Sequence, residues 1–143
     1  MQVQPYLSFE GRAEEALDFY AKSIGATVGV KMRFKEAPPM EAGNGCDGMT
    51  PAHSAEKIMH SEFRIGDSLI MATDGMCSGT TNFTGVSLAL QVRDDAEARK
   101  VFDALAQEGK VQQPLIKTFF ASSFGMVADK FGVGWMVVAG ATP

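Results

Sequence analysis

The feature that most constrains this 143-residue chain is an order of hydrophobic patterns that occurs twice: one alternating stretch, one helical stripe, then three more alternating stretches. Strands that follow one another through short turns pair antiparallel, so this order excludes a helical bundle and a doubly wound parallel sheet. In the first half, Tyr6 and Ser8 alternate with Leu7 and Phe9, which predicts a strand near Val3–Phe9. Ala13, Ala16, Leu17, Tyr20 and Ile24 then fall at three- and four-residue steps, the spacing of one buried helical face. A helix over about Arg12–Ser23 follows, stopped by Gly25 in a left-handed cap. Thr27–Phe34 alternates again, with Val28, Val30, Met32 and Phe34 expected on one face. Glu56–Ile65 and Ser68–Thr73 read as a hairpin turned at Gly66-Asp67, and Asp74–Phe83 as a connector.

The second half repeats the order. Val86, Leu88, Leu90 and Val92 alternate over Thr84–Val92. Asp94 followed by Glu97 has the pattern of a capping box, opening a helix over about Asp95–Glu108 with Ala98, Val101, Phe102 and Leu105 buried and Gly109 ending it. Val111–Phe119, Phe124–Asp129 and Trp135–Gly140 supply the remaining strands. An offset of 83 lays Phe9–Ala26 over Val92–Gly109, matching Ala13 to Ala96, Glu14 to Glu97, Phe19 to Phe102 and Ala21 to Ala104. The expected fold is α+β: two βαβββ modules, about 1–75 and 84–143, in one domain, their mixed sheets curved into a cup with the helices outside.

Charge and cysteine content narrow the function. Seventeen acidic against thirteen basic residues give a net charge of −4, with no basic stripe for nucleic acid. The longest apolar run, Trp135–Ala141, is far short of the ~20 residues a membrane-spanning helix needs, and Met1–Pro5 has no signal-peptide character. Cys46 and Cys77 are too few for a disulfide scaffold, lack metal-finger spacing and have no activating neighbour in sequence. A cytoplasmic protein is expected. Lys35–Ala55, rich in Pro and Gly and carrying Met40 and Met49, reads as a long loop that could cover an edge or a cup mouth.

The module order resembles the vicinal oxygen chelate superfamily of glyoxalase, bleomycin-resistance and extradiol dioxygenase proteins. More narrowly, Pro5-Tyr6-Leu7-Ser8-Phe9, Ala16-x-x-Phe19-Tyr20, His60-x-x-x-Arg64-Ile65-Gly66 and Asp129-Lys130-Phe131-Gly132-Val133-x-Trp135-Met136 are similar to the PhnB-like subfamily, which carries a demethylubiquinone methyltransferase-like label. In metal-dependent members, the resemblance implies His, Glu or Gln ligands from the first and last strand of each module. The matching positions, within one residue, are Gln4, Met71, Ser87 and Val138, of which only Gln4 is a plausible donor. No metal is therefore expected there, and a shifted site would have to draw on His60, Glu62 and Gln4. Gly43–Gly48 opens no helix, so no cofactor fingerprint is read and the methyltransferase label is not taken as this chain's chemistry. The resemblance also implies a two-fold homodimer.

Two sets of residues carry candidate chemistry. His60, Glu62 and Arg64 share one face of a strand, while Phe63 and Ile65 take the other. His60 then serves as a proton-transfer or ligand-binding group beside Glu62, or the face is simply solvated. Tyr6, Ser8, Ser87 and Gln91 lie opposite the apolar Leu7, Phe9, Leu88 and Leu90 and would line the cup with hydrogen-bonding groups. Phe119, Phe120, Phe124, Phe131 and Trp135 read as core or subunit contact before ligand platform. The expectation is a small-molecule-binding protein whose site uses Tyr6, Ser8, His60, Glu62 and Gln91, catalysis unassigned. The alternatives are a metal-dependent lyase, isomerase or dioxygenase, and a resistance protein that sequesters its compound without turnover.

Overall fold

The computed structural model describes residues 1–36 and 55–140, which form two compact units, Met1–Thr81 and Asn82–Pro143. In the first, β1 (Tyr6–Ser8), α1 (Ala13–Ile24), β2 (Thr27–Arg33), β3 (Ile58–Ile65) and β4 (Ser68–Thr73) follow in order. The sheet runs β1-β4-β3-β2, with β1 parallel to β4 and the other pairs antiparallel. The second unit has β5 (Ser87–Val92), α2 (Asp95–Leu105), β6 (Lys110–Ile116), β7 (Ser123–Ala128) and β8 (Gly134–Ala139). Its sheet runs β5-β8-β7-β6 with the same polarity, so the repeat expected from the sequence is a repeat of topology. The expected loop segment with Met40, Cys46, Met49 and His53 lies outside the described residues; Phe34–Glu36, at its start, is a short 3-10 turn.

In unit 1 the α1 stripe packs on the sheet. Ala13, Ala16, Leu17 and Tyr20 are buried, and Tyr20 stacks on Phe63 of β3 with ring centroids 5.6 Å apart. Phe9, Tyr20 and Phe63 are sealed from solvent, each stabilising the unit by about 1.5–3 kcal/mol through burial. Gly25, at φ 70°, provides the left-handed cap that the sequence places there. The start of α1 has no cap of its own, because the N-cap position is Arg12 and its side chain makes no capping bond. Asp74, from the far end of β4, supplies it: the buried carboxylate accepts from Gly11 N (3.1 Å) and Ala13 N (2.7 Å), and from Ile58 N (2.6 Å) at the start of β3.

β2 departs from the expected alternation. Val28 pairs with Phe63, but Lys31 pairs with Ser61, so β2 advances three residues while β3 retreats two. This bulge reverses the faces beyond it. Val28 stays on the helix side, Lys31 and Arg33 turn to Glu14 of α1, and Met32 joins His60 on the opposite face.

In unit 2, Ala98, Val101, Phe102 and Leu105 of α2 pack with Val127, Trp135 and Val137. The capping box forms with a variation: Asp94 accepts from Glu97 N at 2.8 Å, while Glu97 reaches back to Arg93 N rather than Asp94 N. The helix ends at Leu105, short of Gly109. Glu108 takes the positive φ, 58°, and Gly109 is needed for another reason: a Cβ there would overlap the Ala128 carbonyl of β7. Asp129 ties its turn as expected, accepting from Phe131 N and Val133 N, and also from Trp135 Nε1 at 2.9 Å. Phe131 and Trp135 are core, whereas Phe119 is exposed and makes edge-to-face contact with Phe120, which does the same with Phe124.

Candidate functional site

Alternation in unit 1 divides its sheet into a face under α1 and a face away from it. Leu7, Phe63, Ile70 and Ala72 go under the helix, and Tyr6, Met71 and Glu62 are brought into one row on the other face by register: Tyr6 opposite Met71, Met71 opposite Glu62. His60 lies two residues along β3 and opposite Met32 of β2. The Tyr6 and His60 rings stack, 6.0 Å between centroids and 25° between planes. His60 Nε2 stands 3.6 Å from Glu62 Oε1, an ion pair whenever the imidazole carries its proton. Tyr6 is 53% exposed, and the His60 and Glu62 side chains are 31% and 34% exposed. The structure therefore brings together Tyr6, His60 and Glu62 of the expected set. The sequence did not point to Met32 and Met71 as their neighbours, because the Val28–Lys31 bulge leaves no composition signal and Met71 stood out only as an unsuitable metal ligand.

Ser8 shares this face, but its hydroxyl is committed to Glu10, donating to Oε2 at 2.5 Å. Glu10 holds the turn after β4 as well, accepting from Met76 N (3.0 Å) and Ser78 Oγ (2.9 Å). Burial works against the ionised form of Glu10, yet the bonds from Ser8, Ser78 and Met76 outweigh it and keep the carboxyl below its ordinary value of 4.5. Gly75 is required beside this knot, since a Cβ would overlap both Glu10 Oε2 and Ser8 Oγ. Cys77 stands in the same turn at φ 55°. Ser8 thus positions the end of β1 through Glu10. Gln91 belongs to unit 2, where the offset of 83 gives it the place Ser8 has in unit 1; it is exposed, opposite Val138 on the face away from α2.

Arg64, the third polar residue of the β3 face, is exposed and donates to the Asp67 carbonyl at 3.3 Å, so it is drawn to the hairpin turn. A cleft of about 340 Å³ lies elsewhere in unit 1, lined by Gly11, Arg12, Lys57, Ile58 and Asp74 among others. Its polar groups already serve the fold: Asp74 takes three amides, Lys57 Nζ donates to the Gly11 carbonyl (2.8 Å) and Arg12 pairs with Glu15 (2.8 Å). The row of Tyr6, Met71 and Glu62 is the better candidate because, among the described residues, its polar atoms are not tied into the fold.

A divalent metal does not fit the residues at the ligand positions implied by the superfamily. Met71 offers a soft thioether and Val138 offers nothing, and they sit squarely in β4 and β8. Among the described residues no group of three or more His, Cys, Asp and Glu side chains could hold an ion, so a shifted site on His60 and Glu62 would need a third donor such as Gln4.

Comparison with known proteins agrees with this architecture. The family model described as 3-demethylubiquinone-9 3-methyltransferase matches residues 1–138. Protein YjdN of Escherichia coli (strain K12) is 38% identical over 140 residues, covering 96% of this chain and 94% of YjdN. The structure of a PhnB protein from Bacillus cereus is 27% identical with a TM-score of 0.76, covering 97% of this chain and 99% of that one. The fosfomycin resistance protein FosX from Mesorhizobium loti, only 9% identical, shares the fold at a TM-score of 0.61 over 96% of this chain and 90% of its own. Among the described residues, two helices and two four-stranded mixed sheets follow in the order of a fold shared with these structures, and the chain belongs to the PhnB-like family described as 3-demethylubiquinone-9 3-methyltransferase.

Proposed function

We infer that this protein binds a small organic molecule on the helix-free face of the unit 1 sheet, through Tyr6, His60 and Glu62 and without a metal ion. The observation that carries this reading is the stacked Tyr6–His60 pair with the Glu62 carboxylate 3.6 Å from the imidazole, on a face neither buried nor fully open. A flat aromatic surface beside one acceptor and one ring nitrogen is the mix of apolar area and few polar groups that small-molecule sites use. Ser8 supports the site by fixing the end of β1, and Gln91 presents a polar group on the corresponding face of unit 2. The metal-dependent lyase, isomerase or dioxygenase reading is weakened by the donor set at Met71 and Val138. Binding without turnover, as in a sequestering resistance protein, uses the same face. Among the described residues no helix is long and apolar enough to cross a membrane. A cytoplasmic homodimer belongs to this proposal.

The test is a metabolite-library screen by native mass spectrometry on wild type and His60→Ala. A hit whose affinity falls at least about tenfold in His60→Ala, with a melting temperature within about 2 °C of wild type, supports the reading. A large loss of stability with ligand affinity unchanged would make the face structural.

A further inference from the structure

Resting on the reading of this face as a binding site, we propose that its ligand is an organic cation carried on a flat apolar body. The charge is set by Glu62. Carboxylates that serve the fold here each accept two or more hydrogen bonds: Asp74 takes three backbone amides, Asp129 two amides and an indole N–H, and Asp95 two serine hydroxyls. Glu62 instead stands half-buried with His60 as its partner among the described residues, at 3.6 Å, beyond hydrogen-bond reach. Cations that could have served it are used elsewhere. Arg64 turns to the Asp67 carbonyl, and Lys31 and Arg33 bind Glu14 on the opposite side of the sheet. A carboxylate left this way attracts a ligand that brings its own positive charge and its own donors.

The body is set by the neighbours. Tyr6 offers an exposed ring held in place by stacking on His60, and an aromatic face favours both flat apolar groups and cations. Met71 lies between Tyr6 and Glu62 by register, and Met32 opposite His60, so polarizable thioethers that adapt to ring shape flank the platform. An anion would meet the Glu62 carboxylate here, while among the described residues the nearest guanidinium on this face, Arg64, is turned to the Asp67 carbonyl.

The test uses three probes with one ring system and three charges: tryptamine, 3-methylindole and indole-3-acetate. Each is titrated into isotopically labelled protein, and amide resonances of Tyr6, His60, Glu62 and Met71 are followed. Tryptamine is expected to bind at least about threefold more tightly than 3-methylindole and more tightly still than indole-3-acetate, with that advantage shrinking as salt is added. In Glu62→Gln, whose site is half-exposed and whose fold is checked by its spectrum, the three affinities are expected to converge within about twofold. If indole-3-acetate or 3-methylindole binds this face as well as tryptamine does, the charge assignment is overturned while the site reading stands. If none of the probes shifts these four amides at millimolar concentration, both are overturned.

Discussion

Replacing Asp74 by Ala removes one carboxylate and strands three backbone amides. Gly11 N, Ala13 N and Ile58 N donate to it at 3.1, 2.7 and 2.6 Å, and the residue is 1% exposed. Each bond to a charged acceptor is worth about 1.5–3 kcal/mol, and an orphaned buried donor costs about 1–3 kcal/mol. The three are not additive, because water can reach the frayed first turn of α1 once the side chain is gone. A net loss of about 3–5 kcal/mol is expected, a large share of the roughly 5–15 kcal/mol by which a domain is stable. Asp74→Asn keeps one oxygen for Gly11 and Ala13 but turns an NH2 toward Ile58 N–H, so its loss is expected to be about half as large. Urea unfolding followed by circular dichroism gives the magnitude, and hydrogen exchange gives the place: Gly11, Ala13 and Ile58 should exchange far faster in Asp74→Ala. A loss below about 1 kcal/mol, or unchanged protection at those amides, would refute the claim that Asp74 caps α1 and anchors β3.

Other expectations follow from named groups. Glu10 and Glu14 are held below their ordinary value, the first by hydrogen bonds that outweigh its burial and the second chiefly by its hydrogen bond with Arg33. Their folded forms bind protons more weakly than the unfolded chain, so the stability they add is full above the usual carboxylate range and is lost as pH falls through it. Thermal stability should decline between about pH 5 and pH 3, with a shallower slope in Glu10→Gln. Gly109→Ala should cost about 1–3 kcal/mol by forcing apart the α2–β6 turn and β7, measured by chemical denaturation. Light scattering at micromolar concentration should give twice the chain mass of 15.3 kDa, and a monomer would remove the homodimer from the proposal. Calorimetry with S-adenosylmethionine should show no binding, and a measurable heat of binding would restore methyl transfer to consideration.

What could be read from the sequence was what depends on local periodicity. The stripes Ala13-Ala16-Leu17-Tyr20 and Ala98-Val101-Phe102-Leu105 gave two helices within a few residues of their observed ends, and Asp129 was recognisable as a turn anchor. Features set by contacts distant in sequence were not readable. The bulge between Val28 and Lys31 reverses Met32 to the His60 face, although the alternation through Phe34 looks unbroken on the page. Gly109 resembled a helix stop and is instead a close-approach position beside Ala128. Asp74 looked like the start of a connector, yet it caps a helix that begins 61 residues earlier. The same holds for the site. That Tyr6, His60 and Glu62 share a face follows from strand parity, but their juxtaposition depends on the register of β1, β4 and β3. Ser8 matched the pattern equally well, and only the structure shows its hydroxyl bound to Glu10.

Fragment mapping by amide chemical shift asks whether the Tyr6–His60–Glu62 face is where this protein meets its ligand. A chemically diverse fragment set is titrated into labelled protein, and the residues perturbed by each hit are recorded. Hits are expected to converge on Tyr6, His60, Glu62 and Met71, and Tyr6→Ala is expected to abolish most of them while leaving the spectrum otherwise intact. Convergence instead on the cleft lined by Gly11, Lys57 and Ile58, with Tyr6→Ala without effect, would contradict it.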